Sequence, residues 1–226
     1  MGSAATAGSR RPLDLSLYLV TDTGRCGAAG VPATVAAAVA AGVTVVQLRD
    51  PDASDRELVA LGRTLVAALV GTGVPLLVND RVDLVGPIGA DGGHVGQGDV
   101  GVLEARAALG PDAYLGLSVQ TAEHVRAATA LPLDALDYLG VGPVWPTGSK
   151  ADAAPAGGLG VLRELTAASP WPCVAIGGID AARVEAAAAT GAAGVAVISA
   201  ICGQADVGAA TSRLRRAWDE CRVGAR

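Results

Sequence analysis

Apolar and polar positions alternate along this 226-residue chain with a steady period. Short, nearly unbroken apolar runs stand at 15–22 (LSLYLVTD), 44–50 (TVVQLRD), 75–80 (PLLVND) and 92–97 (GGHVGQ). Four more follow at 114–119 (YLGLSV), 138–144 (YLGVGPV), 173–178 (CVAIGG) and 194–199 (GVAVIS). Runs this short, leucine-rich or β-branched and apolar at almost every position, predict strands covered on both faces. Between them lie helical patterns such as ATVAAAVAAG, SDRELVALGRTLVAALV, TAEHVRAATA, AARVEAAAAT and GAATSRLRRAWDECR. The stretches after the third and fourth runs are shorter, and Gly86, Pro87 and Gly89 interrupt the former. Eight strand–helix units in one chain of this length predict an α/β fold, a single-domain (β/α)8 TIM barrel. A doubly wound sheet would call for an early G-x-G-x-x-G, and LVTDTGRCGAAG does not supply that spacing. No linker or composition shift divides residues 13–226, whereas residues 1–12 read as a flexible leader.

Composition adds limits. Hydrophobic residues make up 51% of the chain, and mean hydropathy is +0.43, enough for a large core. No apolar run reaches the ~18 residues of a membrane span, and the leader lacks a signal-peptide core, so a cytoplasmic protein with no membrane partner is expected. The net charge of −5 and the scattered arginines argue against nucleic acid. Cys26, Cys173, Cys202 and Cys221 lie far apart with no C-x-x-C, and read as small apolar residues in a reducing compartment.

In a barrel of this kind the chemistry sits at the C-terminal ends of the strands. Those ends collect the polar residues of an apolar chain: Gln47 and Arg49, Asn79 and Asp80, His94, Gln97 and Asp99, Ser118, Thr147 and Ser149, and Ser199. Lys150 joins them as the only lysine of the chain, in the Gly/Pro/Ser/Thr stretch VWPTGSK. Hydroxyls at Thr147 and Ser149, a curl at Gly148 and a mobile cation are phosphate-binding parts. The glycines of AIGGID, with Asp180 as a predicted helix cap, and the segment VISAI suit a phosphate held at strands 7 and 8. The same glycines could serve only to permit tight turns. Asp80 and Asp99, without a His or Cys cluster, suit Mg²⁺, and each alone could instead be a turn or cap residue. Gln47 and Arg49 are two apart and share a face, so an amide that can read a heteroaromatic ring stands beside a cation for phosphate.

Taken in order, LYLVTD, GVTVVQLRD, VNDRVDL, DGGHVGQGD, LGLSVQT, GVGPVWPTGSK, AIGGI and GVAVISAI resemble the thiamine-phosphate synthase family from about residue 17 to 202. The resemblance implies a TIM-barrel transferase that joins 4-amino-2-methyl-5-hydroxymethylpyrimidine pyrophosphate to hydroxyethylthiazole phosphate. Carried over position by position, Gln47 and Arg49 would hold the pyrimidine pyrophosphate, with Asn79 on its phosphates. Asp80 and Asp99 would bind Mg²⁺. Ser118 would lie near the reacting pyrimidine, with His94 lining that side. Lys150 would grip the pyrophosphate, and Thr147, Ser149, Gly178, Ile198 and Ser199 would hold the thiazole phosphate. Arg49, Ser118 and Lys150 would be the catalytic set. The resemblance also admits a homo-oligomer, although no interface stripe is legible.

One departure stands out. The family pattern Q-x-R-x-K places a lysine where this chain has Pro51. Either another cation takes over, with Arg49 and Arg81 the candidates by position, or the site runs with a weaker grip. A weaker grip partly offset by Arg81, which directly follows Asn79–Asp80, is the favoured reading. Two rival readings stay open on the residues alone. One is a metal-independent paralogue that isomerises the thiazole phosphate; the other is a degenerate, non-catalytic barrel that binds a phosphate ligand. Asp99 and GPVWPTGSK favour the synthase.

Overall fold

The computed structural model describes residues 12–149 and 154–223. Eight parallel strands close in chain order into a barrel. They are β1 Leu17–Val20, β2 Val45–Leu48, β3 Leu76–Asn79, β4 Gly92–Val95, β5 Tyr114–Val119, β6 Tyr138–Val141, β7 Cys173–Ile176 and β8 Gly194–Val197. Six of the eight are buried at every residue, which is why the sequence shows continuous apolar runs rather than alternation. The last strand meets the first with Leu17 opposite Val195 and Leu19 opposite Val197.

The outer layer follows in sequence as α1 Thr23–Cys26, α2 Gly30–Ala40, α3 Asp55–Leu69, α4 Val85–Ile88 and α5 Val102–Leu109. It continues with α6 Ala122–Thr129, α7 Gly158–Ala168, α8 Val184–Ala188 and α9 Val207–Val223. Ser54 opens α3 with a capping box, accepting from the Glu57 amide while the Glu57 carboxylate accepts from the Ser54 amide. Packing of α3 on α4 is close: a Cβ on Gly62 would overlap the Ile88 side chain. The apolar stripe of α9 docks through Leu214 and Trp218, each 1% exposed.

Local chemistry trims the predicted elements. The run at 138–144 stops being a strand at Val141, because Pro143 has no N–H for the ladder. Its continuation bonds instead to the next strand's end, with the Val144 amide donating to the Ile176 carbonyl at 2.9 Å. The helix read over AARVEAAAAT shrinks to five residues, Val184–Ala188. Asp180 caps the turn ahead of it by accepting from the amides of Ala182 and Arg183. After β8 no helix begins at once. The amides of Ile201 and Cys202 fold back onto the Ile198 carbonyl, and α9 starts only at Val207. The proposed leader lies outside the described residues except for Pro12.

The N-terminal end of the barrel is a stabilising end. Arg106 pairs with Asp137 at 3.0 Å, both side chains 14% exposed, and also donates to the carbonyls of Gly110, Ala113 and Ala135. Asp137 accepts in addition from the Leu115 amide at 2.7 Å. A partly buried ion pair with this many further bonds resists removal of either partner.

Candidate active site

A cavity of about 370 Å³ opens at the C-terminal ends of the strands. Of the residues singled out in sequence, it is lined by Gln47, Asp80, His94, Gln97, Asp99, Ser118, Thr147, Ser149, Gly178, Ile198 and Ser199. They come from β2 through β8 and their loops, so closure of the barrel gathers positions that are far apart in the chain. Arg49 and Asn79 are at the ends of their strands but do not line the cavity. Lys150 lies outside the described residues.

Asp80 and Asp99 follow neighbouring strands, β3 and β4, and both are exposed at the cavity wall. Asp80 has φ 62°, the one non-glycine residue in the left-handed region among those described. Aspartate tolerates that region better than most residues, and strain of this kind gathers at sites where the surrounding bonds enforce it. Here the Asp80 amide donates to the His94 carbonyl at 2.8 Å, and the Val82 amide donates to the Asp80 carbonyl at 3.0 Å. Asp99 is oriented by the Gly96 amide, which donates to Oδ2 at 2.7 Å. Among the described residues no group of three or more His, Cys, Asp or Glu converges on one point. Two exposed carboxylates with room for substrate oxygens fit Mg²⁺, which takes one or two protein carboxylates and completes its shell from phosphate and water.

In a ring of eight strands, β7 and β8 stand diametrically opposite β3 and β4. Thr147 and Ser149 approach that opposite side on the β6 loop, where the Thr147 hydroxyl accepts from the Ser149 amide at 3.2 Å. The β6 and β7 loops are zipped together. The Trp145 amide donates to the Gly177 carbonyl at 3.0 Å, and the Arg183 guanidinium donates to the Gly178 carbonyl while lying 5.3 Å from the Trp145 ring centroid. Gly177 and Gly178 have φ 101° and 64°, and a Cβ on either would strike the Pro143–Pro146 segment. Their first duty is therefore to let that segment approach.

The floor of the cavity holds two residues that the strand-end reading passed over. Tyr18 on β1 and Tyr138 on β6 touch hydroxyl to hydroxyl at 2.7 Å. Gln47 Nε2 donates to the Tyr18 hydroxyl at 2.8 Å; His94 Nδ1 lies 2.8 Å from the Tyr138 hydroxyl, and its Nε2 2.8 Å from Ser118 Oγ. Burial raises the pKa of both phenols far above the ordinary range, so each stays protonated. Both tyrosines sit inside their strands, and only the inward parity of those positions hinted at them.

Arg81 proves to be engaged elsewhere, which corrects its expected role. Its Nη1 donates to the Ala53 carbonyl at 2.8 Å and to Asp55 Oδ1 at 3.1 Å, and its Nη2 donates to the Asp50 carbonyl at 2.9 Å. It straps down the very loop that carries Pro51. The Arg49 guanidinium, by contrast, makes no hydrogen bond or ion pair to a described residue, while its backbone amide and carbonyl are held by the Thr21 hydroxyl.

Comparison with known proteins agrees with this geometry. The family model described as thiamine monophosphate synthase matches residues 17–201. A thiamine-phosphate synthase of Azorhizobium caulinodans is 46% identical over 204 residues, covering 90% of this chain and 95% of that relative. One from Xanthobacter autotrophicus is 48% identical over 208 residues, 92% of this chain and 97% of the relative. The solved thiamine phosphate pyrophosphorylase of Pyrococcus furiosus superposes with a TM-score of 0.83 at 33% identity, covering 93% of this chain and 98% of that one. With its eight-stranded barrel and a match that spans nearly all of it, the chain belongs to the thiamine monophosphate synthase family.

Proposed function

We propose that this chain is a transferase that forms thiamine phosphate from 4-amino-2-methyl-5-hydroxymethylpyrimidine pyrophosphate and hydroxyethylthiazole phosphate, releasing pyrophosphate. The observation that carries the reading is the polarity of the cavity. Carboxylates stand on the β3–β4 side, and hydroxyls and loop backbone on the β6–β8 side. The distance across a barrel mouth suits two ligands that must meet in the middle.

The pyrimidine C–O bond to pyrophosphate breaks, and the thiazole nitrogen lone pair forms the new C–N bond. That nitrogen has no proton to lose, so no general base is needed on it. The work left to the protein is alignment, exclusion of water and neutralisation of the leaving group. Gln47 spends its amide nitrogen on Tyr18, which leaves its oxygen to accept from a ring amino group. Arg49 and Lys150 are assigned to the pyrophosphate, with Asn79 beside them. Thr147, Ser149, Gly178, Ile198 and Ser199 are assigned to the thiazole phosphate. Asp80 and Asp99 would hold Mg²⁺, which when bound supplies positive charge to the departing pyrophosphate. The phosphorylated substrates are membrane-impermeant, which suits a reaction in the cytoplasm. Among the described residues no helix is long and apolar enough to cross a membrane.

The test is formation of thiamine phosphate by the purified protein with both substrates and Mg²⁺, each omitted in turn. Product only in the complete mixture is expected. Isomerisation of the thiazole phosphate without metal would overturn the reading in favour of the paralogue, and binding without turnover in favour of a non-catalytic barrel.

Pro51 gives a narrower test. Pro51→Lys is expected to tighten the pyrimidine pyrophosphate by about 1–2 kcal/mol, the scale of one charge-assisted hydrogen bond. Because Arg81 braces the loop rather than facing the ligand, Arg81→Ala should weaken binding equally in the native and the Pro51→Lys backgrounds. A double-mutant cycle on the substrate Kd measures this, and a smaller loss in the Pro51→Lys background would restore Arg81 as the substitute cation.

A further inference from the structure

The hydrogen-bond chain on the cavity floor has a direction, and the direction has a consequence for Ser118. Gln47 Nε2 donates to the Tyr18 hydroxyl, so the Tyr18 oxygen is an acceptor there. Tyr18 is 1% exposed, and the other hydrogen-bonding group beside its hydroxyl is that of Tyr138, 2.7 Å away. If the Tyr18 proton goes to Tyr138, the Tyr138 proton goes to His94 Nδ1, and the ring's own proton sits on Nε2 and points at Ser118 Oγ. In the opposite direction Tyr138 would donate to Tyr18, which would then accept twice and bury its own proton without an acceptor. A buried donor left unpaired is the costlier arrangement.

The strands are cut to make this chain. His94, Gly116 and Tyr138 are register partners on β4, β5 and β6. A Cβ on Gly116 would overlap both the Tyr138 ring and His94 Nδ1, so the missing side chain between them lets the rings meet, centroids 5.4 Å apart. Gly140, opposite Ser118, gives similar room, since its Cβ would stand 3.2 Å from His94 Cε1. Both phenols are fully buried and remain protonated, so the donors at the head of the chain persist.

We infer that Tyr18 and Tyr138 are positioning residues that hold His94 as its Nε2–H tautomer, so that Ser118 accepts from His94 and presents its own hydroxyl proton to the ligand in the cavity. Ser118 thereby keeps its proton for the ligand instead of spending it on His94. It selects ligands with an acceptor at that point, either a ring nitrogen lone pair or an ester oxygen of the leaving pyrophosphate. The choice of those two atoms rests on the proposed reaction; the tautomer does not.

The chain contains two histidines, His94 and His124. Nitrogen-15 NMR of histidine-labelled protein therefore reads the tautomer directly, with His124→Ala to assign the signals. The expected result in the otherwise native protein is protonated-type nitrogen at His94 Nε2 and unprotonated-type at Nδ1. Tyr138→Phe removes the proton donated to Nδ1, and should move His94 to the Nδ1–H form or a mixture. The same variant should lower kcat about tenfold, less than the roughly 10²–10⁴-fold of a directly acting acid or base, because Tyr138 acts through His94. KM for the pyrimidine pyrophosphate should change less, and the thermal midpoint should fall by a few degrees, since the buried Tyr18 hydroxyl loses its acceptor. Nδ1–H or the doubly protonated ring in the native protein would overturn the inference without reference to any variant. Native tautomer and native kcat retained in Tyr138→Phe would overturn it as well. A correct tautomer with no thiamine phosphate formed would sink the proposed reaction and leave the relay standing.

Discussion

Asp99→Asn is expected to lower turnover by on the order of 10²-fold, the size of a lost electrostatic contact at a leaving group, and to raise the Mg²⁺ concentration that half-saturates the rate. The substitution is chosen for what it keeps. An asparagine oxygen can still accept from the Gly96 amide, the bond that orients residue 99 in the VGQGD turn. Only the charge is removed. Asp80 and Asp99 are both exposed on the wall of one cavity, where two like charges oppose each other when no cation lies between them. The thermal midpoint should therefore stay level or rise slightly, as is common when a functional charge is neutralised. Initial rates across a Mg²⁺ titration, with melting curves on the same samples, check both halves. An unchanged Mg²⁺ requirement would remove Asp99 from the metal site.

Gly194→Ala is expected to destabilise the fold by about 3 kcal/mol or more, at or beyond the upper end of overpacking costs. Gly194 begins β8, where the last strand closes onto the first, and a Cβ there would strike the Leu15 carbonyl. Backbone cannot turn aside as a flexible side chain does, so the seam itself must open. At about 2–4 °C per kcal/mol for a chain of this size, the thermal midpoint should drop by roughly 6–12 °C or more. Gly160→Ala is the control. That residue lies inside α7, and nothing stands within 4 Å of the position an added methyl would take, so alanine should stabilise by about 0.5–1 kcal/mol through helix propensity. Urea or thermal unfolding of both variants decides it, and equal behaviour of the two would show that the seam tolerates the methyl.

The barrel was legible because its strands are buried on both faces, and each therefore prints an apolar run without needing any partner to be known. Asp80, Asp99, Thr147 and Ser149 were legible for a related reason. A polar residue at the end of such a run has one place to go, the mouth. Element ends were less legible. Pro143 stopped β6 early, and the stretch after β8 folds back on the Ile198 carbonyl, because each depends on which carbonyl lies within reach.

By itself the sequence determined the eightfold repeat and the polar residues that gather at the barrel mouth. These follow from period, burial and strand-end position, which are local properties. Only the tertiary structure decided what each side chain is bonded to. It bound Arg81 to the carbonyls of Asp50 and Ala53, and it showed that Gly177 and Gly178 make room for the β6 loop. It also joined Tyr18 to Tyr138 across 120 positions of sequence. A hydrogen bond spans about 3 Å whatever the separation along the chain, so its partners are set by the closure of the barrel, and no pattern within one strand records them.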